Sequence, residues 1–347
     1  MSEEDIQWPA AYPALGLSAV LKARPEDFEV EEILGFEPDG EGEHLLVQVE
    51  KRGLDTSEVA KLLAVHLEIA PRAVSWAGRK DRHAVTRQYF SVQWSQPETP
   101  DLTPLNGDKL HILEVLRHRR KLRPGFNRGN RFRLRLTGVK GDTGAVDERL
   151  ALIAARGVPN YFGRQRFGRD AQNIQAARDM LARGNLRRVP HGRRSLWLSA
   201  ARSYLFNTVL AARVRADNWD RLLPGELVML EGSRSFFLAE AINADLEKRL
   251  REHDVSPSGP LPGLVRKGAP VGEALAFEQA ALREEADMLD GLIKAGVLAA
   301  RRALRLVPKN LHWRWEDEAT LALDFELPTG AYATIVVAEL ADPGAGN

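Results

Sequence analysis

The sequence contains no cysteine. That absence excludes disulfides, thiol nucleophiles, iron–sulfur clusters and every cysteine-containing zinc site. No apolar run approaches the ~20 residues that a membrane-spanning helix needs, so no membrane role is expected. The eight histidines form no H-E-x-x-H pair, and no acidic cluster follows the calcium-loop spacing D-x-[DN]-x-[DN]-G. A G-x-S-x-G elbow, a Walker A loop and a G-x-G-x-x-G fingerprint are also missing, which removes the usual handles for hydrolase, NTPase and dinucleotide chemistry. The start, M-S-E-E-D-I-Q-W-P, is acidic and has no basic stretch followed by an apolar one. It reads as neither a secretory signal nor a transit peptide, and a cytoplasmic location is expected. Nothing in the pattern marks a subunit interface, so a monomer is the default.

What is present is ordinary in bulk and uneven in detail. With 44% hydrophobic and 28% charged residues in 347, the chain reads as globular and long enough for about two domains. Net charge is only +1, yet the signs are segregated. Acids dominate from Glu26 to Glu50. From Val115 to Gly141 there is none, while Arg117, Arg119, Arg120, Lys121, Arg123, Arg128, Arg131, Arg133, Arg135 and Lys140 crowd together. A second acid-free stretch, Met180 to Ala216, holds eight arginines, among them Arg187, Arg188 and Arg194. Such runs either form solvated faces balanced in space by the acids or grip a polyanion. Two of them favour RNA or DNA, because arginine matches phosphate bidentately and stacks on bases.

The periodicities suggest a strand-rich, helix-rich, strand-rich order, as an inserted domain would give. His44 to Val49 and Tyr89 to Trp94 read as strands, and Phe132 to Leu136 alternates with Arg133 and Arg135 outward. Asp55 and Glu58 have capping-box spacing ahead of a helix carrying Val59, Leu62, Leu63 and Leu67. Helical segments are expected over Asp147–Ala155, Leu198–Ala216 and Leu275–Ala299, and alternation returns at Ala319–Phe325. The stretch A-G-R-K-D-R-H-A, between the first helix and the second strand, sets one carboxylate, Asp81, among Arg79, Lys80, Arg82 and His83. Cations within ~4–6 Å favour the ionised form of a carboxylate, which suits a nucleophile or an electrostatic partner better than a general acid. On charge alone a structural ion pair is the commoner outcome.

Four motifs carry a resemblance that changes this balance: G-R-K-D-R-H-A-V-T-R-Q (Gly78–Gln88), K-A-R-P-E-D-F-E-V-E (Lys22–Glu31), N-R-G-N-R-F (Asn127–Phe132) and P-N-Y-F-G-R-Q-R-F-G (Pro159–Gly168). Together, and in this order, they closely resemble the TruD family of tRNA pseudouridine synthases, from about residue 16 to residue 340. The resemblance implies an α+β fold. Its pseudouridine-synthase core has a central mixed or antiparallel sheet, and an α/β TRUD domain is inserted into it. The expected core is residues 1–155 with 307–347, the expected insertion 156–306. It also implies isomerisation of uridine to pseudouridine in tRNA, uridine 13 in the D arm of glutamate tRNA being the best-known target, with no cofactor and no metal.

By the same resemblance Asp81 is the nucleophile, attacking either C6 of the base or C1′ of the ribose. Phe28 and Asn130 match substrate-contacting positions, and Tyr332 stands where the family often has phenylalanine. An aromatic face replaces lost base stacking at ~1–3 kcal/mol per base, and an amide can pair with a Watson–Crick edge. Lys22 positions or balances the site, Arg79 and Arg82 neutralise phosphates, and His83 donates to substrate or caps the backbone. The arginine-rich segments are expected to line a cleft between the domains. The competing reading is a non-catalytic RNA-binding or remodelling protein. A metal-dependent nuclease is disfavoured, because the basic regions hold no clustered carboxylates.

Overall fold

A computed structural model describes residues 7–184 and 186–343; the acidic start Met1–Ile6 and the tail 344–347 lie outside them. The chain divides into two compact units, one of residues 15–145, 308–333 and 341–343, the other of residues 7–14, 146–307 and 334–340.

The first unit is built on a ten-stranded sheet among the described residues. Its strands include β1 (Ser18–Leu21), β2 (Phe28–Leu34), β3 (His44–Arg52), β4 (Val74–Trp76), β5 (Val85–Gln93), β6 (Leu110–His118) and β7 (Asn127–Lys140). Across the sheet the order is Lys309–Asp317, Thr320–Pro328, β7, β2, β5, β3, β6. The sheet is mixed, since β2 and β5 run parallel while the other neighbours on this path are antiparallel. Alternation in β3 places Leu45, Val47 and Val49 on one face. Helix α1 (Thr56–His66) covers that face with Val59, Ala60, Leu63 and Ala64, joined by Phe90 and Val92 of β5. Each large apolar side chain fully buried there contributes roughly 1.5–3 kcal/mol. Leu62 faces solvent instead. The Glu58 carboxylate accepts from the Asp55 N–H at 2.6 Å, as the capping-box spacing predicts.

The strands run further than periodicity suggests, and the extensions matter. β3 continues through Lys51, β5 begins at Val85, and β7 begins at Asn127 inside what reads as a Gly/Asn-rich loop. β7 tolerates Gly129 because β2 and the strand Thr320–Pro328 satisfy its backbone on both sides. The glycine is required as well: a Cβ there would collide with the Leu327 carbonyl oxygen.

The second unit packs helices Gln172–Ala182, His191–Arg215, Gly272–Ala281 and Ala286–Lys294 with a small sheet in which Glu226–Leu230 lies between Phe236–Ala239 and Val255–Ser256. The single helix expected over 275–299 is broken by a 3₁₀ turn at Arg283–Glu285. This unit also includes residues 7–14, 146–155 and 334–340. Hydrogen bonds between distant segments explain why. Arg149 donates to the carbonyls of Glu339 (2.7 Å) and Pro13 (2.6 Å), the Glu339 carboxylate accepts from the Ala11 and Tyr12 N–H groups, and the Tyr12 hydroxyl donates to the Gly157 carbonyl at 2.7 Å.

Candidate active site

Asp81 lies on the loop 77–84 that joins β4 to β5, and almost every residue of that loop is held. The Gly78 carbonyl accepts from the Gln88 side chain (3.3 Å), and the Lys80 N–H donates to Thr56 Oγ1 (3.0 Å), whose hydroxyl in turn donates to Gln88 Oε1 (2.9 Å). Lys80 Nζ reaches Glu32 Oε1 at 2.8 Å. The Asp81 carbonyl accepts from Lys51 Nζ at 2.9 Å, and the Arg82 carbonyl accepts from the Gly53 N–H at 3.1 Å. Thr56, Gln88, Glu32 and Lys51 are all buried, so the loop stands on a dry polar platform. Such a platform holds a reacting group in place without reorganisation.

The Asp81 carboxylate itself is half exposed and doubly held. Oδ2 accepts from Lys22 Nζ, and Oδ1 accepts from the His83 N–H at 2.9 Å. Burial alone would raise its pKa. The Lys22 ammonium and the His83 N–H outweigh that, and the carboxyl sits below its ordinary value. Asp81 is thus an anion at neutral pH, able to attack carbon but not to act as a general acid. Lys22, just after β1, sits at φ +64°, a left-handed conformation that costs a residue with a Cβ about 1–3 kcal/mol. Its ammonium also lies 4.1 Å from the centroid of the Phe28 ring.

Phe28 is only 6% exposed. Its ring meets Phe132 edge-on at 6.2 Å, and Phe132 stacks on Phe325 at 5.7 Å, so its contacts within the protein are core packing and support for Lys22. Asn130 pairs in register with Glu32 of β2, the partner of Lys80. Its Oδ1 is buried and has no hydrogen-bond partner among the described residues. A buried unpaired acceptor costs about 1–3 kcal/mol, a cost that a donor on a bound base would remove. Tyr332 is half-buried, directly before the short helix Ala333–Ala338. The turn leading to it is stapled to the start of β7, where the Thr329 hydroxyl donates to the Asn127 carbonyl at 2.6 Å.

Lys22, Asp81, the His83 backbone and Phe28 are therefore brought together. Arg79 is exposed without a hydrogen bond or ion pair among the described residues. Arg82 reaches Asp55 at 3.7 Å, and the His83 ring is exposed. Lys51, Glu32, Thr56 and Gln88 were not singled out by sequence. Lys51 alone had a local signal, since alternation from Leu45 through Val47 and Val49 puts it on the inward face.

The arginine-rich stretches divide. Arg131 binds Asp324 through two nitrogens at 2.8 and 2.7 Å, Arg133 reaches Glu29, Glu31 and Asp324, and Arg135 pairs with Glu316. Arg117 donates to the carbonyls of Trp94, Gln96 and Pro97, and Arg119 pairs with Glu41. Much of the first basic run is thus balanced by the acidic run. Arg123 and Arg128 remain exposed without carboxylate partners among the described residues, and Arg120 is exposed with only a through-space attraction to Asp39. In the second unit Arg187, Arg188, Arg194 and Lys294 line an open hollow of about 670 Å³. No cluster of three or more His, Asp or Glu side chains among the described residues is placed to hold a metal, and no helix there is long and apolar enough to cross a membrane.

Known proteins resemble this chain over nearly its whole length. The family model described as tRNA pseudouridine synthase D (TruD) matches residues 11–188 and 172–340. A tRNA pseudouridine synthase D from Xanthomonas axonopodis pv. citri is 47% identical over 99% of this chain and 96% of its own length. The Pseudomonas fluorescens protein of the same name gives the same identity and coverage. A crystal structure of a Methanosarcina mazei protein described as a tRNA pseudouridine synthase D superposes with a TM-score of 0.74 over 98% of this chain and 97% of that one, at 21% identity, and supports the α+β fold. With matches of this length in both sequence and fold, the chain belongs to the TruD family of tRNA pseudouridine synthases.

Proposed function

We propose that this tRNA pseudouridine synthase isomerises uridine 13 in the D arm of glutamate tRNA with Asp81 as its nucleophile, acting as a monomer without cofactor or metal. The observation that carries the reading is the Asp81 carboxylate: ionised, gripped by Lys22 and the His83 N–H, on a loop held from below at nearly every residue. In the reaction the C1′–N1 bond breaks, a C1′–C5 bond forms, C5 loses its proton and N1 gains one. No electrons enter or leave, so neither an oxidant nor a reductant is required.

Each neighbour has a part in this reading. Lys22 keeps Asp81 ionised and aimed, and Phe28 supports the Lys22 ammonium while its edge borders the base. Asn130 offers its unpaired Oδ1 to the N3–H of uracil, which fits the orphaned acceptor. Tyr332 stacks on the flipped base, Arg79 and Arg82 meet phosphates, and the His83 ring lies at the mouth. Asp81→Ala should abolish tritium release from RNA labelled at uridine C5 while tRNA binding survives. Turnover near the wild-type rate would remove Asp81 from the mechanism. A non-catalytic RNA-binding protein would show no release even in the wild type. Sequencing pseudouridines in cellular tRNA with and without the protein tests position 13 directly, and a signal at another uridine would overturn the substrate assignment.

A further inference from the structure

We infer that Lys51 is a positioning residue for the isomerisation: its buried ammonium fixes the main chain of Asp81 from beneath and so sets the direction of the carboxylate. The inference rests on the reading of Asp81 as nucleophile. Lys51 is the last inward residue of β3, whose other inward residues, Leu45, Val47 and Val49, are apolar core, and it is 1% exposed. A lysine is buried this deeply only when its ammonium is paired. Here Nζ donates to two main-chain carbonyls, Leu54 at 2.8 Å and Asp81 at 2.9 Å. It therefore ties the turn before α1 directly to the residue that carries the carboxylate.

Its charge contributes as well as its hydrogen bonds. Asp81 and Lys80 of the loop, Asp55 at the start of α1 and Glu58 in its first turn all face it, and Asp81 is the strongest of its favourable partners. From the adjoining strands β5 and β6 the residues in register with it are Thr86 and Leu110, which carry no charge. Lys22 holds Asp81 by its side chain and Lys51 by its backbone, so the two lysines play distinct parts. Burial pushes the Lys51 ammonium down to about 8, against an ordinary 10.5. As pH rises through about 8 the folded protein loses this proton, the hydrogen bonds to both carbonyls cease to be charge-assisted, and the anion above loses a cation. Activity falls on that limb. Stability does not, because between about 8 and 10.5 the unfolded chain binds the proton that the folded chain has released, and unfolding then becomes less favourable as pH rises.

The test is the pH profile of single-turnover rate on tRNA labelled at uridine C5. The wild type should lose rate as pH passes about 8. Lys51→Arg, which keeps its charge, should retain activity and lose that alkaline limb. Lys51→Met should lower kcat on the order of 100-fold, the scale expected of a misplaced reacting group, with tRNA affinity little changed and with no alkaline limb left. A wild-type rate that holds level as pH passes about 8, a limb that persists in Lys51→Arg, or a Lys51→Met protein with wild-type kcat each overturns the proposal. Should Lys51→Met fail to fold, the wild-type and Lys51→Arg profiles still decide. Inactive Asp81→Ala beside a Lys51→Met protein of wild-type profile overturns this inference alone, whereas active Asp81→Ala overturns the nucleophile and this inference together.

Discussion

The two faces of the main sheet both carry opposite charges in contact, and they put them to different ends. On one, Arg131, Arg133, Glu29, Glu31 and Asp324 form a ladder with side chains 30–43% exposed. On the other, beneath the Asp81 loop, Lys80 and Glu32 pair with side chains 6% and 0% exposed, and Lys51 lies beside them. An exposed pair contributes about 0–1 kcal/mol, because water screens it and two long side chains must be ordered. A buried pair differs in kind: it adds little when intact, yet removing one partner strands a charge and costs about 3–5 kcal/mol. Equal numbers of charged residues therefore support neither equal stability nor equal function. What separates the faces is whether water can replace a lost partner.

The sharpest way to break this comparison is Glu32→Gln. It leaves Lys80 buried without a counter-charge, in the loop that presents Asp81. Unfolding in urea should show a loss of roughly 3–5 kcal/mol. Adding Lys80→Met to the same chain should restore much of it, since no uncompensated charge then remains. A loss from Glu32→Gln as small as that of an exposed pair would mean that the platform is wetter than its burial implies.

A smaller effect is expected where cations stand without partners. Arg187 and Arg188 line the hollow of the second unit with no ion pair among the described residues, whereas Arg131 and Arg133 are already occupied by carboxylates. Replacing Arg187 and Arg188 by glutamine should weaken tRNA binding. The slope of log K against log salt should flatten by roughly 2, each duplex phosphate contact being worth about 0.9. The same change at Arg131 and Arg133 should leave the slope nearly alone. Equal flattening at both places would erase the distinction between free and occupied arginines.

These contrasts mark what could be read from one dimension. The Asp81 loop, Lys22, Phe28 and Asn130 lie in local motifs, and the mixed α+β order follows from periodicity and resemblance. Lys51 was legible in principle, since the alternation of β3 runs through it, but a strand ended at Val49 hides it. Glu32 was not, because in sequence it is one acid in a run of acids, and only the β2–β7 register and the reach of Lys80 set it apart. The first arginine-rich run looked like a phosphate grip because its counter-charges are about a hundred residues away in β2 or about two hundred away in the strand Thr320–Pro328. The unit boundaries depend on Arg149 and Glu339, 190 residues apart. Pairings of that separation leave no local trace.

The mildest test is Asp324→Asn, at the node of the exposed ladder. Asp324 accepts two hydrogen bonds from Arg131, and these hold its carboxyl below the ordinary value. A carboxylate with a lowered folded pKa adds stability that is fully present above its unfolded pKa and is lost as pH falls through the folded one. The wild type should therefore exceed the variant by no more than ~1 kcal/mol near neutral pH. That margin should close in acid as Asp324 takes up a proton, and high salt should narrow it at any pH. Activity and the salt slope for tRNA should not change, because no ladder side chain has an ion pair or hydrogen bond to the Asp81 loop among the described residues. A margin that stays constant into acid would mean that Asp324 holds its strand by packing rather than by charge, and the two faces would then differ less than their exposure suggests.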